Sequence, residues 1–395
     1  MTFDPAEYRQ RRQRAAEAAR TKGYAGLLVA DPANLYYLTG YNAWSFYMPQ
    51  FLLIAADDAT TLFVSREMDA NGAHRTAALA PDEILGYPET TVHRRDTHPC
   101  TWAADELRAR GWAERFAGGQ VAIEGDAHFF SVRSYLALRD GLPEWNLVEG
   151  HGVVNWLRLV KSDAEVDLMR KAGRIVSNAM AVGIDAIEVG VPQHEVVAAI
   201  QHAQVAGVDG IDGDYPAIVP LLPVGEAADT PHLTWSARPL VAGETVSIEI
   251  AGAHQRYHAP LARSVAVGQV SSDLERLGAL TAEGLTLAIE AVKPGRTAGE
   301  VAGVYWDFLA RHGLSKNSRL GYSIGIGYPP DWGEGTVSIR REDTTEVQTN
   351  MCFHFIAGMW MDGYGCELSE ALRVGPDGAE VLTSAPRELI RRGAS

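Results

Sequence analysis

Two neighbouring stretches in the second half of the chain decide the fold: Thr230-Pro-His-Leu-Thr-Trp235 and Glu249-Ile-Ala-Gly-Ala-His-Gln-Arg-Tyr-His-Ala-Pro-Leu-Ala-Arg-Ser264. The second stretch begins in an apolar strand that carries a carboxylate, turns over residues 252–256, and returns as a second strand. Side chains on paired strands are held in fixed positions. His232 and Glu249 are therefore candidates for general acid/base chemistry near neutral pH, with an ordinary structural role as the alternative for each.

Length, composition and charge limit the class of protein. The 395 residues are 46% hydrophobic and 22% charged, which is ordinary for a globular protein, and the length predicts two domains. A net charge of −15 disfavours nucleic acid and anionic membrane as partners. No apolar run approaches the ~20 residues of a membrane span. The N-terminus lacks a signal-peptide core, and the three cysteines show no CxxC spacing, so we expect a cytoplasmic protein without a disulfide framework.

The first part of the chain alternates between predicted helices and strands. Helices are expected over residues 4–22, 69–79 and 101–110, and strands over residues 26–30, 51–55, 61–65 and 120–124. This alternation predicts an α/β domain with a mixed sheet over residues 1–155.

The second part contains a faint internal repeat. Ser162-Asp-Ala-Glu165 has the form of a capping box and opens an amphipathic helix. Further on, residues 186–197 resemble residues 288–301, because in both a helix ends, a proline interrupts the chain and a new helix begins at a polar cap. We therefore expect residues 156–395 to form a second domain with a duplicated α/β half.

Five short pieces occur in a fixed order in this second domain. They are Pro231-His232, Gly243-Glu-Thr-Val-Ser-Ile-Glu249, Gly321-Tyr-Ser-Ile-Gly-Ile-Gly327, Asn350-Met-Cys-Phe-His-Phe355 and Tyr364-Gly-Cys-Glu-Leu-Ser-Glu370. Their order and spacing resemble the creatinase/prolidase/methionine aminopeptidase superfamily. The resemblance implies an α/β (α+β) protein in which a creatinase-like N-terminal domain precedes a C-terminal domain of the pita-bread fold.

The likeness breaks at the metal site of that superfamily. Its peptidases bind two metal ions through two Asp, one His and two Glu, and at those positions this chain has Glu249, Pro260, Tyr322, Ile356 and Ser369. Divalent metals need several oxygen or nitrogen ligands that converge on one point, which proline and isoleucine side chains cannot supply. We therefore expect no metal ion and no other cofactor.

Loss of the metal together with a histidine after proline is similar to creatinase, a metal-free relative. Creatinase holds the guanidinium of its substrate with two carboxylates and transfers protons with the histidine. In this chain Glu367 stands at one of the two carboxylate positions and Ala262 at the other, whereas Glu249 adds a carboxylate that creatinase lacks. The resemblance therefore does not imply creatine as the substrate.

A further set of motifs spans most of the chain. It comprises Asn34-Leu-Tyr-Tyr-Leu-Thr-Gly-Tyr-Asn-Ala-Trp-Ser-Phe-Tyr47, Asp69-Ala-Asn-Gly-Ala-His-Arg75, Leu85-Gly-Tyr-Pro88, Asp214-Tyr-Pro-Ala-Ile-Val-Pro-Leu-Leu-Pro223, Pro231-His-Leu-Thr-Trp235, Gly327-Tyr-Pro-Pro-Asp-Trp-Gly-Glu334 and Gly358-Met-Trp-Met-Asp362. These motifs resemble the ectoine hydrolases, a metal-independent branch of the same superfamily. Members of that branch open the cyclic amidine ring of ectoine to an N-acetyl-diaminobutyrate.

The chemistry of an amidine is consistent with a site of carboxylates. A protonated amidine carries positive charge at the carbon to be attacked, so a carboxylate can bind its N–H groups whereas a metal cation would repel it. We expect His232, Glu249 and Glu367 to be catalytic. His232 would take a proton from water and return it to the departing amine, and Glu249 would act either as electrostatic partner or as nucleophile. The alternative for Glu367 is a solvated strand end.

Aromatic and basic residues are the candidates for substrate binding, either as an aromatic box around a cation or as a guanidinium fork for a carboxylate. The alternatives are core aromatics and surface arginines. The predicted set is Trp44, Phe46, Tyr47, Tyr322, Arg340, Arg341, His354 and Trp360. In the superfamily the first domain of one subunit often closes the site of its partner, so the resemblance implies a homodimer, with residues 44–47 in that role.

The sequence thus predicts a metal-independent hydrolase for a small zwitterionic or cationic cyclic amidine, with ectoine as the expected substrate. Two alternatives stay open. One is a creatinase-like hydrolase of another guanidino or amidino acid, and the other is a relative that binds such a solute without turnover.

Overall fold

The structure is a computed structural model that describes residues 1–393, and the chain divides into two units, Met1–Arg158 and a second that begins at Leu159. None of the helices in this described part is long and apolar enough to cross a membrane. Each unit has its own sheet and its own core.

The first unit alternates helices and strands. Its elements are α1 (Pro5–Thr21), β1 (Gly26–Val29), α2 (Pro32–Thr39), β2 (Phe51–Ala55), β3 (Thr61–Arg66), α3 (Glu67–Thr76), β4 (Ile84–Tyr87), α4 (Pro99–Ala109), α5 (Trp112–Arg115), β5 (Gln120–Ile123), α6 (Val132–Gly141), β6 (Asn146–Glu149) and α7 (Val153–Arg158).

The sheet of the first unit is mixed, as the alternation predicts. Its order is β4-β3-β2-β1-β5-β6, with β1 antiparallel to β2 and parallel to β5. Strands β1 and β2 are buried along their whole length, which explains why they read as continuous apolar runs. Helix α3 covers only residues 67–76, so the predicted extension to residue 79 is wrong.

The second unit combines four long helices with a larger sheet. Its elements are α8 (Asp163–Asp185), α9 (Gln193–Ala206), β7 (Thr245–His254), β8 (Tyr257–Val267), α10 (Ser272–Glu290), α11 (Ala298–Arg311), β9 (Gly321–Tyr328), β10 (Asp331–Ile339), β11 (Cys352–Met361), β12 (Tyr364–Val374), β13 (Ala379–Val381) and β14 (Ile390–Arg392).

The predicted duplication appears as two packed helix pairs, α8 with α9 and α10 with α11. Helix α8 begins at the predicted capping box, in which the Ser162 hydroxyl accepts from the Glu165 N–H and the Glu165 carboxylate accepts from the Ser162 N–H. Thr297 and Glu300 form the same box at α11. Mixed α/β architecture with a duplicated half is therefore observed, and the fold class is confirmed.

The candidate functional side chains Glu249, Tyr322, His354 and Glu367 lie on strands of the sheet in the second unit. Strand β12 lies next to β11, then β9, then β8, while β7 pairs with β8 and β10 pairs with β9. In the hairpin, Glu249 on β7 lies opposite Ala262 on β8. The turn between them is shorter than predicted, because Gln255 and Arg256 both adopt positive φ and close it in two residues.

Candidate active site

Two buried glutamates from distant parts of the chain form the centre of the candidate site. Glu249 on β7 is 5% exposed and Glu367 on β12 is 1% exposed. Strand β8 connects them, because its Ser264 hydroxyl accepts a hydrogen bond from the Glu367 N–H at 2.8 Å and lies 2.9 Å from the Ser247 hydroxyl of β7. The sheet therefore fixes both backbones while their carboxyl groups meet.

The two carboxyl groups share one proton. Burial raises the pKa of Glu249 well above its ordinary value, and the charge of Glu367 raises it further. Burial also raises the pKa of Glu367 to about 7, against the opposing charge of Lys316 and a hydrogen bond from Glu249. Two adjacent buried carboxyls disfavour each other's ionised form, so Glu249, whose pKa is raised well above its ordinary value, is the member of the pair that keeps its proton. Above a pH of about 7 the pair therefore carries one negative charge, on Glu367.

One oxygen of this pair remains available. Within residues 1–393 the buried Oε1 atom of Glu367 has no hydrogen-bond partner. An unsatisfied buried carboxylate oxygen is costly, so it is typical of a site that receives its partner from a ligand. A cationic group with N–H donors would satisfy both the oxygen and the charge.

A lysine that the sequence patterns did not indicate lies next to the pair. The Lys316 ammonium donates to the Gly358 carbonyl at 2.8 Å and to the Ser318 hydroxyl at 2.7 Å, and it lies 4.6 Å from the centre of the Trp360 ring. Gly358 is directly opposite Glu367 in the β11–β12 ladder. Burial lowers the pKa of Lys316 to about 8, although the charge of Glu367 opposes this.

Glycine at position 358 makes room for this arrangement. A Cβ atom there would lie 2.3 Å from the Trp360 ring, so only glycine lets the indole lie against the strand. Trp360 therefore contributes to the site by covering the lysine, whereas its contact with a substrate remains a prediction.

A chain of hydrogen bonds crosses four strands beside the pair. The Trp332 indole N–H donates to the Tyr322 hydroxyl at 2.9 Å, this hydroxyl lies 3.0 Å from Nδ1 of His354, and Nε2 of His354 lies 2.7 Å from the Ser369 hydroxyl. Burial and the charge of Arg319 lower the pKa of His354 to about 3, so its ring is neutral. Burial, together with the charge of Glu249, raises the pKa of Tyr322 well above its ordinary value.

The residues at the peptidase metal positions do not fit a pair of metal ions. Pro260 and Ile356 offer no donor atom, and the hydroxyls of Tyr322 and Ser369 are occupied by His354, which leaves Glu249 as the one carboxylate among the five positions. In the part of the chain that the structure describes, no group of three or more His, Cys, Asp or Glu side chains is arranged to hold a metal ion.

The backbone next to His232 is hydrogen-bonded to the segment that pairs with the Glu249 strand. His232 occupies an exposed loop, and the carbonyl of the next residue, Leu233, accepts a hydrogen bond from Leu222 at 3.0 Å. The adjacent Leu221 exchanges two backbone hydrogen bonds with Glu249. The His232 loop is thus hydrogen-bonded to the segment that pairs with Glu249. The side chain of His232 itself is exposed to water.

The predicted arginines lie at the surface of the second unit. Arg341 forms an ion pair with Asp307 of α11, and Arg340 is exposed just after β10. Arg319, which no pattern indicated, lies closer to the site. Its guanidinium carbon is 4.2 Å from the centre of the Tyr322 ring.

The three predicted aromatics of the first unit differ in exposure. Trp44 is 57% and Tyr47 is 59% exposed, whereas Phe46 is buried, with ring centroids 4.9 Å from those of Trp44 and Phe129. A substrate role for these three remains a prediction.

Sequence reasoning missed Lys316 and Arg319 as parts of the site, and it considered Trp332 as a core or interface aromatic with an aromatic box as the alternative. Lys316 and Arg319 lie in a polar loop before β9 that has no periodic pattern. Trp332 belongs to a quoted motif, yet its hydrogen bond to Tyr322 depends on the pairing of β9 with β10.

Two units, a duplicated helix pair and a buried acid pair define a two-domain protein of the creatinase/prolidase class. The profile of the creatinase/prolidase N-terminal domain matches residues 11–160, and that of metallopeptidase family M24 matches residues 167–376. The chain belongs to metallopeptidase family M24.

Individual relatives extend over almost the whole chain. The ectoine hydrolase of Halomonas elongata is 37% identical over 99% of this chain and 98% of its own length. Among solved structures, the dipeptidase PepE of Mycobacterium ulcerans has a TM-score of 0.80 at 25% identity, covering 98% of this chain and 99% of its own. A prolidase of Thermococcus sibiricus has a TM-score of 0.84 at 20% identity, covering 99% and 100%, and shows the fold alone. The resemblance stated from the motifs is confirmed, and the chain is a hydrolase of C–N bonds.

Proposed function

We propose that this protein is a metal-independent hydrolase that opens the cyclic amidine ring of ectoine to an N-acetyl-diaminobutyrate. The observation that carries the proposal is the buried Glu249–Glu367 pair, which offers a negative charge and one buried oxygen of Glu367 without a hydrogen-bond partner among the described residues. The similarity to the Halomonas elongata ectoine hydrolase supports the substrate.

The acid pair complements an amidinium ion in charge and in hydrogen bonding. The cation would donate its N–H groups to the carboxyl oxygens in charge-assisted hydrogen bonds. Burial strengthens these bonds because little water competes for them. The same contact places the electrophilic carbon next to the two carboxyl groups.

The reaction balances with water as the second reactant. The water oxygen forms the new bond to the amidine carbon, the ring C–N bond breaks, and both water protons end on the departing nitrogen as an ammonium group. In our proposal His232 accepts the first proton from water and returns it to the leaving amine. Either Glu249 and Glu367 together are the electrostatic partner of the cation, or Glu249, after losing its proton to a base, is a nucleophile that bonds to the amidine carbon as the ring C–N bond breaks, and water then cleaves this covalent adduct.

Proton NMR tests the proposal directly. Protein treated with a chelator, and verified to be metal-free by elemental analysis, is incubated separately with ectoine and with creatine. We expect ring opening of ectoine and no change in creatine. Hydrolysis of creatine instead would favour the creatinase-like alternative. Ectoine turnover that appears only after a divalent metal is added would contradict metal independence.

A matched pair of variants separates catalysis from binding. His232→Gln removes the proposed proton carrier, so kcat for ectoine should fall by ~10²–10⁴-fold while ectoine still binds. His202→Gln changes an exposed histidine on α9 and should leave kcat unchanged. Binding of ectoine by the wild type without turnover would show a solute-binding relative rather than an enzyme.

A further inference from the structure

Arg319 is a half-buried cation whose donors are not used by the protein. Its guanidinium carbon lies 4.2 Å from the centre of the Tyr322 ring. Within the described chain Arg319 donates no hydrogen bond and has no carboxylate within 4.0 Å. Partial burial of an arginine without a hydrogen-bond acceptor is unfavourable, unless a ligand supplies the acceptor.

Tyr322 connects this cation to the acid pair. The charges of Glu249 and Arg319 both act on the Tyr322 hydroxyl, in opposite directions, so the tyrosine lies within electrostatic range of both. Tyr322 therefore lies close to a positive group, which is 4.2 Å from its ring centre, and within the electrostatic influence of a negative group. A ligand that spans this tyrosine would need a cation at one end and an anion at the other.

The other basic residues near the site are less suited to an anion. Two N–H groups of Lys316 already bind protein acceptors, and its charge acts on Glu367. Arg341 is paired with Asp307. Arg340 is exposed. Its positive charge acts on Arg319, and the two charges together would attract an anion more strongly.

Asp331 is the acidic group that faces Arg319. Its carboxylate influences Arg319, but its Oδ1 atom accepts from the Gly333 N–H at 3.0 Å and it forms no ion pair with Arg319. The guanidinium fork therefore retains N–H groups for a second, planar acceptor.

We propose that Arg319, stacked on Tyr322, binds the carboxylate of the substrate and thereby makes the site selective for amidines that also carry a carboxylate. This inference rests on the proposed function and deepens it. The acid pair binds the amidinium and the Arg319 fork binds the carboxylate, so the two charges of one zwitterion orient its ring. Neutral peptides and simple amidines lack one of these contacts.

The test compares two ligands that differ only in the carboxylate. Ectoine and 2-methyl-1,4,5,6-tetrahydropyrimidine, the same ring without the carboxylate, are measured for binding by calorimetry and for turnover by NMR. The wild type should prefer ectoine by about 10–100-fold in Kd and in kcat/KM, as expected for a charge-assisted bidentate contact. Arg319→Met should lose this preference through weaker ectoine binding, with the carboxylate-free ring unaffected.

Two further variants make the outcome specific. Arg319→Lys keeps the positive charge but lacks the planar fork, so it should retain only part of the preference for ectoine. Because this variant is a conservative change, it also serves as a control for a folding defect in Arg319→Met. Arg311→Met changes an exposed arginine at the end of α11 and should behave as the wild type.

The inference and the proposed function can fail separately. Preferential ectoine binding that depends on Arg319, without turnover, would overturn the proposed function and leave the Arg319 assignment in place. A wild type without preference for the carboxylate ring, or an Arg319→Met variant that keeps the preference or weakens both ligands equally, would overturn the assignment.

Discussion

At the scale of single residues, the carboxyl pair determines how the site responds to pH. Glu367 must be ionised to hold a cation, and its pKa of about 7 lies within the physiological range. The nearby Lys316 ammonium favours the ionised form, since an opposite charge stabilises a carboxylate. Lys316 therefore keeps the site active at neutral pH.

This gives a prediction for Lys316→Met. Without the ammonium the pKa of Glu367 rises further, so the rising limb of kcat/KM for ectoine should move to higher pH, by about one pH unit. A pH profile between 5.5 and 9 measures this. Lys316→Arg keeps the positive charge and should leave the limb in place. Equal shifts in both variants would mean that the side-chain shape, and not the charge, is responsible.

A second prediction concerns the stability cost of Glu249. A carboxyl whose pKa is raised by folding stabilises the native state below its unfolded pKa, and this contribution is lost as pH rises toward the folded pKa. Glu249→Gln has no proton to lose. We expect it to raise the free energy of unfolding by about 1–2 kcal/mol at pH 8 and to give little gain near pH 4.

Urea denaturation at the two pH values measures this difference, and turnover by the same variant should be lost. Glu290→Gln, which changes an exposed glutamate of α10, is the control and should show no such pH-dependent gain. A stability change in Glu249→Gln that is the same at both pH values would argue against a raised pKa.

At the scale of elements, helix α8 holds the Glu249 strand in place. A Cβ atom at Gly252 on β7 would lie 2.2 Å from the Ala172 carbonyl oxygen and 2.6 Å from the Val176 nitrogen, both in α8. The helix backbone thus packs directly on the strand three residues beyond Glu249. Helix α8 packs on both β7 and β8, so this close approach restrains the strand on one face of the sheet.

Gly252→Ala should therefore separate α8 from β7 and cost about 1–3 kcal/mol of stability, with lower activity because Glu249 shifts. Thermal unfolding and kcat for ectoine measure the two effects. Gly303→Ala on α11 is the matched control, since its Cβ would meet an ordinary contact at 3.5 Å and should stabilise the helix by ~0.5–1 kcal/mol. Full stability of Gly252→Ala would contradict the packing argument.

The elements also show where sequence patterns suffice. The capping box at Ser162, the buried stripe of α8 and the β7–β8 hairpin follow from local periodicity and caps. The two-residue turn at Gln255 and Arg256 does not, because neither residue type is typical of positive φ. Tertiary context imposes it, since the buried Arg256 donates to the carbonyls of Tyr215 and Gly327.

At the scale of the whole molecule, we propose a homodimer with residues 44–47 at its interface. Trp44 and Tyr47 are large, apolar in part and more than half exposed in the first unit. Exposed aromatic side chains of this kind are enriched in protein interfaces.

Light scattering should find twice the mass of the 42.8 kDa chain for the wild type. Trp44→Ser should shift the protein toward the monomer and reduce ectoine turnover. Trp156→Ser alters another exposed tryptophan of the first unit and should leave the mass unchanged. A wild-type monomer with full activity would exclude the dimer as a requirement for function.

The sequence by itself determined the family and the alternation of elements, and it predicted the loss of the metal ligands and the two candidate glutamates. These features are local, because they reside in which residue occupies each motif position. The tertiary structure alone decided that Glu249 and Glu367 share a proton, that Lys316 lies beside them and that Arg319 lies over Tyr322. The two glutamates lie on strands more than a hundred residues apart in sequence, and Lys316 meets them only because β11 pairs with β12, so no local pattern encodes their burial and charge coupling.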